Sequence, residues 1–223
     1  MHQRISKKIV VYLFLFLTLV TLNNINLSDF NFLKIITLNL KELNNFEKKK
    51  FEEDLNFLKK EDLIFLDKDK ISKKIFANKI VEDFSVFKNY PSELEIFIKK
   101  TKFLAITKKN NQDYYIGSNG NLIYTKNSLE RLPFIFGNVE PDDFLKLKTH
   151  INNSEFNFDQ IKNLYFFKSK RWDIETKDDL IIKLPLDQIE ISLNNLSKII
   201  ISEEFKNKKI IDLRQKNQVI LND

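Results

Sequence analysis

FSVFKNYPSELEIFIKKTKFLAI, residues 84–106, contains two alternating apolar runs separated by Tyr90-Pro91-Ser92. Phe84 and Val86 fall on one side of the first run. In the second, Leu94, Ile96 and Ile98 oppose Glu93, Glu95 and Phe97, the period of two expected of a half-buried strand. Pro91 fixes its own φ and has no N–H to give to a ladder, so it belongs in the turn. The stretch therefore predicts a β-hairpin, and its neighbours decide what kind of module it completes.

Upstream, LKIITLNL (33–40) alternates Leu33, Ile35, Thr37 and Asn39 against Lys34, Ile36, Leu38 and Leu40, which predicts a strand. In NNFEKKKFEEDLNFLKKED, Phe51, Leu55 and Leu58 recur at spacings of four and three, with Lys and Glu between them. That pattern predicts an amphipathic helix capped by Asn44 or Asn45. Leu66, Ile71 and Ile75 predict a second helix, with Asp67 or Asp69 at its start. The order from Leu33 to Ile106 is strand, helix, helix, strand, strand: an α+β module near the lower size limit for an independent core.

From Lys108 onward the pattern is mainly β. DYYIG and LIY flank a turn at Asn119-Gly120, LPFIFG is a short buried strand, and NLYFFKSKRWDIETKDDLIIKL supplies two or three more. Pro141 suits the first position of a helix whose first turn carries Asp142 and Asp143. A further helix is predicted over Leu186–Ile201, and two short β runs flank Gln215-Lys216-Asn217. No Pro/Gly/Ser-rich linker separates the halves, which predicts a tight junction near residues 107–112.

At the N-terminus, Arg4, Lys7 and Lys8 precede an uncharged run from Ile9 to Leu22. That run makes about 21 Å of helix against roughly 30 Å of hydrocarbon, and extension to Leu27 brings it close to a full span. The residues that follow, Asn23-Asn24-Ile25-Asn26, offer no small-x-small cleavage site, so the reading is a retained transmembrane helix over a cleaved signal peptide or a core helix. The positive-inside rule then leaves the N-terminus in the cytoplasm and the rest across the membrane.

Composition excludes several classes. The chain has no cysteine, which removes disulfides, thiolate metal sites and cysteine nucleophiles. The formal charge of +6 comes from lysines interleaved with acids and lacks an Arg-rich cluster, so nucleic acid is not the expected partner. The histidines are His2 and His150, one terminal and one at a helix end, and no nucleophile–His–acid set, phosphate loop or HExxH stands in the sequence. Asp142-Asp143 and Asp178-Asp179 read as solvated acid pairs and Trp172 as core. No enzyme, metal, cofactor or small-molecule substrate is expected.

These pieces together resemble the bacterial FtsQ/DivIB cell-division family. The resemblance rests on Phe84-Ser85-Val86, Tyr90-Pro91 and Leu94-Glu95-Ile96 in the hairpin, Leu132-Pro133 before Gly137, Arg171-Trp172, and Ile211-Asp212-Leu213-Arg214. The family usually has Glu where Lys100 stands, Pro where Phe103 stands and an aromatic where Thr107 stands. The resemblance implies a cytoplasmic tail (1–8), a transmembrane helix (9–27), a POTRA domain (32–107) and a C-terminal β domain (108–223). It also implies a single-pass inner-membrane protein, periplasmic at the division septum, that docks FtsB and FtsL without catalysis. FtsB would add a strand to the C-terminal sheet edge, at Arg214, Gln215, Lys216, Asn217, Gln218 and Val219, with Lys170 and Arg171 as secondary contacts. Two plainer readings stand beside it: Arg214 paired with an acid of its own sheet, and Gln215–Gln218 as a solvated turn. The alternative function is a POTRA-bearing envelope-assembly factor or polypeptide chaperone, capturing segments at the edge of the Leu94–Lys100 strand.

Overall fold

The structure is a computed structural model that describes residues 7–23, 33–124, 131–200, 208–215 and 220–222. The chain folds as two compact units, Met1–Ile75 with Phe84–Ile98, and Phe76–Asp83 with Lys99–Asp223. The α+β character and the mainly β C-terminal region hold.

The expected membrane span does not. Helix α1 (Lys7–Asn23) has 17 residues, about 26 Å at 1.5 Å per residue, short of a hydrocarbon core of about 30 Å. Among the described residues no helix is long and apolar enough to cross a membrane. The span depended on extension to Leu27, and the helix described, Lys7–Asn23, is too short without it. The single-pass topology built on that extension is withdrawn with it. Residues 1–6 of the expected tail and 24–27 lie outside the described residues.

The first unit is built on strand β1 (Thr37–Lys41), α2 (Asn45–Asp54), a 3-10 turn (Asn56–Lys60), α3 (Lys68–Phe76), β2 (Val81–Asn89) and β3 (Glu93–Lys100), with Phe76, Val81–Asp83 and Lys99–Lys100 at their ends falling in the second unit. Asn44 caps α2: its side chain accepts from the Glu47 N–H at 2.9 Å while Glu47 accepts from the Asn44 N–H at 3.0 Å. The Asp67 side chain accepts from the N–H groups of Asp69 and Lys70 and so starts α3. Phe51, Leu55, Leu58, Ile71 and Ile75 are buried, as are Leu94, Ile96 and Ile98 of β3 and Leu38 and Leu40 of β1. Leu58 belongs to the 3-10 turn, not to α2.

The alternation predicted from Leu33 breaks: Ile35 is buried, Ile36 is 72% exposed, and Leu38 is buried again. The N–H groups of Ile36 and Thr37 both meet the Ser92 carbonyl, at 2.8 and 3.3 Å, so the phase shifts by one residue before β1 starts. The sheet order is β1-β3-β2, with β1 parallel to β3. The alternative docking edge is therefore not an edge strand: the Leu94–Lys100 strand is central, with β1 paired to it over Glu93–Phe97 and β2 on its other side.

Among the described residues the second unit holds a nine-stranded sheet. Its strands are β4 (Phe103–Lys109), β5 (Gln112–Gly117), β6 (Leu122–Ile123), β7 (Phe134–Phe136), β8 (Ile161–Phe166), β9 (Trp172–Thr176), β10 (Ile181–Lys183), β11 (Ile210–Asp212) and β12 (Ile220–Asn222). Their order is β12-β11-β10-β9-β8-β7-β4-β5-β6. Helix α4 (Pro141–Asn152) connects the parallel pair β7/β8, and α5 (Ile189–Ile200) lies between the parallel strands β10 and β11. Pro141 stands in the first turn of α4. Phe144, Leu147 and Ile151 of α4 and Leu193 and Leu196 of α5 share one core with Ile135, Leu164, Trp172, Ile174, Ile182 and Ile211. Each such side chain contributes about 1.5–3 kcal/mol on burial. Both helices therefore cover one face of the sheet.

Candidate docking edge of the C-terminal sheet

The rim is set by three short strands. β10 and β11 are parallel, and β11 is antiparallel to β12. Ile181 N–H donates to the Lys209 carbonyl and Leu213 N–H to the Lys183 carbonyl, at 2.8 and 3.0 Å. The odd-numbered residues of β11 therefore turn their amides to β10, and Ile210 and Asp212 turn theirs to β12. Their register partners are Asn222 and Ile220. By the same alternation, Leu221 points its N–H and C=O away from β11, to the outer side of a strand that has one ladder neighbour among the described residues.

On the face opposite the helices, register links Phe136, Tyr165, Asp173, Lys183, Asp212 and Ile220 in one row across the sheet. Phe136 stacks on Tyr165 with ring centroids 5.1 Å apart. Beyond them the row is charged. Arg214 Nε donates to both Asp212 oxygens, at 2.8 and 3.0 Å, and its Nη2 donates to Oδ2 as well. Arg171 Nε donates to Asp173 Oδ1 at 3.2 Å, and its guanidinium lies 4.3 Å from the Phe167 ring centre. Asp212 is held below the ordinary carboxylate range, mainly by its bond from Arg214. Asp173 is pushed the other way: burial outweighs the opposing pull of Arg171, Lys183 and Arg214.

The two acids give stability opposite pH dependences. Asp212 contributes above the ordinary aspartate range, and the contribution is lost as pH falls through its depressed value. Asp173 keeps its proton to higher pH in the folded chain, so its ionisation erodes stability as pH rises from the ordinary aspartate range through its raised value. Asp173→Asn retains the acceptor oxygen for Arg171 and removes that penalty. Its stability relative to the native chain should improve as pH climbs through the carboxylate range, then level off. Thermal unfolding at stepped pH checks this; a difference independent of pH would mean that the neighbouring cations compensate the Asp173 charge in full.

The site residues expected from the sequence divide three ways. Arg171 and Arg214 share the charged row, each engaged by an acid of its own strand region, and Gln215 is exposed beside them. Lys170, at φ 63°, extends to Asp143 of α4 at 3.4 Å and is not part of that row. Lys216, Asn217, Gln218 and Val219 lie outside the described residues. Asp212 is visible in the sequence as part of Ile211-Asp212-Leu213-Arg214, whereas Asp173 and Lys183 do not stand out; the signal available is a charge inside the apolar strands WDIET and IIK. His150 meets Glu190 of α5 at 2.8 Å, tying the two helices, and Asp179 meets Lys162 at 2.6 Å. Two hydrogen bonds, from Asp179 first and Glu175 second, push the Lys162 ammonium up to about 12.

Residues 105–214 match the family described as Cell division protein FtsQ/DivIB, C-terminal. The chain is 25% identical over 170 residues to cell division protein FtsQ of Bradyrhizobium diazoefficiens, covering 71% of this chain and 48% of that protein. It therefore spans about half the length of that relative. To cell division protein DivIB of Clostridium botulinum it is 21% identical over 213 residues, 96% of this chain and 72% of the other. A solved structure of the major extracytoplasmic domain of the trans isomer of DivIB from Geobacillus stearothermophilus superposes with a TM-score of 0.34 at 13% identity. That match covers 49% of this chain and 98% of the other.

Proposed function

From the premise that the chain belongs to the FtsQ/DivIB family of cell-division proteins, we propose that it works in division as a non-enzymatic docking protein, receiving a partner strand at β12. The partners are those the family resemblance implies, FtsB and FtsL. One observation carries the reading: β12 closes the sheet at its rim, with the Leu221 amides turned outward. A partner segment added there continues the ladder through its backbone, and Arg214, just past β11, is the nearest cation, with Lys183 and Arg171 one and two strands further in. Arg214 would exchange part of its hold on Asp212 for a partner carboxylate, a charge-assisted bond of the same kind.

We read residues 32–107 as a POTRA domain and 108–223 as the C-terminal β domain that carries this edge. Depleting the protein in its own cells should give long, undivided filaments, and the native chain should restore septation. Normal division after depletion would remove the division role and the docking role together.

A further inference from the structure

The nine-residue strand β2 ends the order β1-β3-β2, so among the described residues no strand pairs with its other side. It contains neither proline nor glycine, two residues that commonly interrupt an exposed edge. Its sequence, VEDFSVFKN, has a feature that restricts what can pair with it. Two antiparallel copies of a strand that extend a single sheet are related by an axis normal to that sheet. Residues i and j then face each other with i + j constant and even. Centred on Ser85, this register sets Glu82 against Lys88, Phe84 against Val86, and Ser85 against itself. The axis repeats each unlike pair on both sides. Centres at Asp83, Phe84, Val86 or Phe87 oppose no acid to a base.

Burial follows the same division. Glu82, Phe84, Val86 and Lys88 are partly buried, while Asp83, Ser85 and Phe87 are exposed. Phe87 stands edge-on to Phe97 of β3 at 5.4 Å. Pairing at Ser85 would lay the half-covered Phe84 of one copy on the half-covered Val86 of the other. Glu82 already accepts from Lys99 Nζ at 2.9 Å and from Ser118 Oγ at 2.6 Å, which fixes the carboxylate at the start of the strand. A second copy's Lys88 would join a preformed acceptor.

We propose that β2 is the pairing edge of a homodimer, with two copies of this chain joined antiparallel about Ser85 into one six-stranded sheet.

The chain has no cysteine, so single thiols can report the register. Residues directly opposite stand about 4.5–5.5 Å apart at Cα, within disulfide reach. The full-length Ser85→Cys variant should therefore become a covalent dimer on mild oxidation. Phe87→Cys should not, because its two copies would be about 13 Å apart. In sedimentation experiments over a concentration series the native chain should dimerise reversibly. Lys88→Glu, which sets acid against acid twice, should weaken that dimer by about ten-fold, and Glu82→Lys combined with Lys88→Glu should recover part of the loss. A chain that stays monomeric throughout the series would overturn the proposal. So would cross-linking through Phe87→Cys in place of Ser85→Cys. A dimer that tolerates Lys88→Glu but is lost in Leu221→Pro lies on the other rim and overturns it equally.

Discussion

Gly137→Ala is expected to cost about 4 kcal/mol or more and to leave the C-terminal unit largely unfolded. Gly137 follows β7, where the parallel partner β8 runs closest, and its φ is +109°, outside the conformations that an L side chain adopts at small cost. A Cβ built there would lie 2.2 Å from the Phe166 carbonyl oxygen and 3.1 Å from its carbon. Those are backbone atoms of a central strand, so relief requires β7 and β8 to separate. Separation would disturb Ile135 and Leu164, both fully buried in the core. With total stabilities of about 5–15 kcal/mol, such a loss is close to global. Gly120 supplies the control. Its φ of +75° is also left-handed, but the nearest atom to an added Cβ is 3.5 Å away, so Gly120→Ala should cost only about 1 kcal/mol. Denaturant unfolding of both variants decides it: a Gly137→Ala chain as stable as Gly120→Ala would show that the approach of the two strands is looser than described.

The same glycine shows what a sequence reveals and what it withholds. LPFIFG is legible as a short buried strand ending at Gly137, because hydrophobic runs and strand ends are local properties. The reason for the glycine is not, since it depends on Phe166, which a helix separates from it in the chain. The first unit repeats the lesson. Asn44 and Asp67 are legible as helix starts because capping is a local hydrogen-bonding choice. The phase shift at Ile36 is invisible because it arises from Ser92, far along the chain.

Asn119-Gly120 reads as a turn, and Gly120 is one. Asn119 does more: its amide donates to the carbonyls of Lys79 and Val81, at 3.0 and 2.8 Å, and its N–H donates to Thr101 Oγ1 at 3.2 Å. Hydropathy also misleads at the N-terminus, where it suggests a span but no described helix is long and apolar enough to make one. The edge position of β12 requires knowing that β10 and β11 are parallel and joined through α5. Which amides face outward then follows from parity, a geometric fact with no trace in composition.

Parity gives the docking proposal its sharpest form. Leu221→Pro deletes the one N–H of β12 that the ladder geometry turns away from β11, and leaves the amides of Ile220 and Asn222 for Ile210 and Asp212. If a partner strand is received there, its facing carbonyl loses a donor in a position shielded from water. The stranded acceptor costs about 1–3 kcal/mol, so affinity should fall by roughly one to two orders of magnitude. Leu221→Ala removes the same side chain but keeps the N–H, and should retain most of the binding. Ile220→Pro attacks the inner ladder instead, and should release β12 from β11 and lower stability along with affinity. Arg214→Glu addresses the charged row separately: it repels Asp212 as well as any incoming carboxylate, so its effect should shrink at high salt while that of Leu221→Pro should not. Binding of the full chain to co-produced FtsB and FtsL, measured for the four variants beside their unfolding curves, separates these outcomes. Equal affinity for Leu221→Pro and Leu221→Ala, with both chains folded, would mean that no strand is added at this rim, because a backbone ladder cannot be indifferent to the loss of its donor.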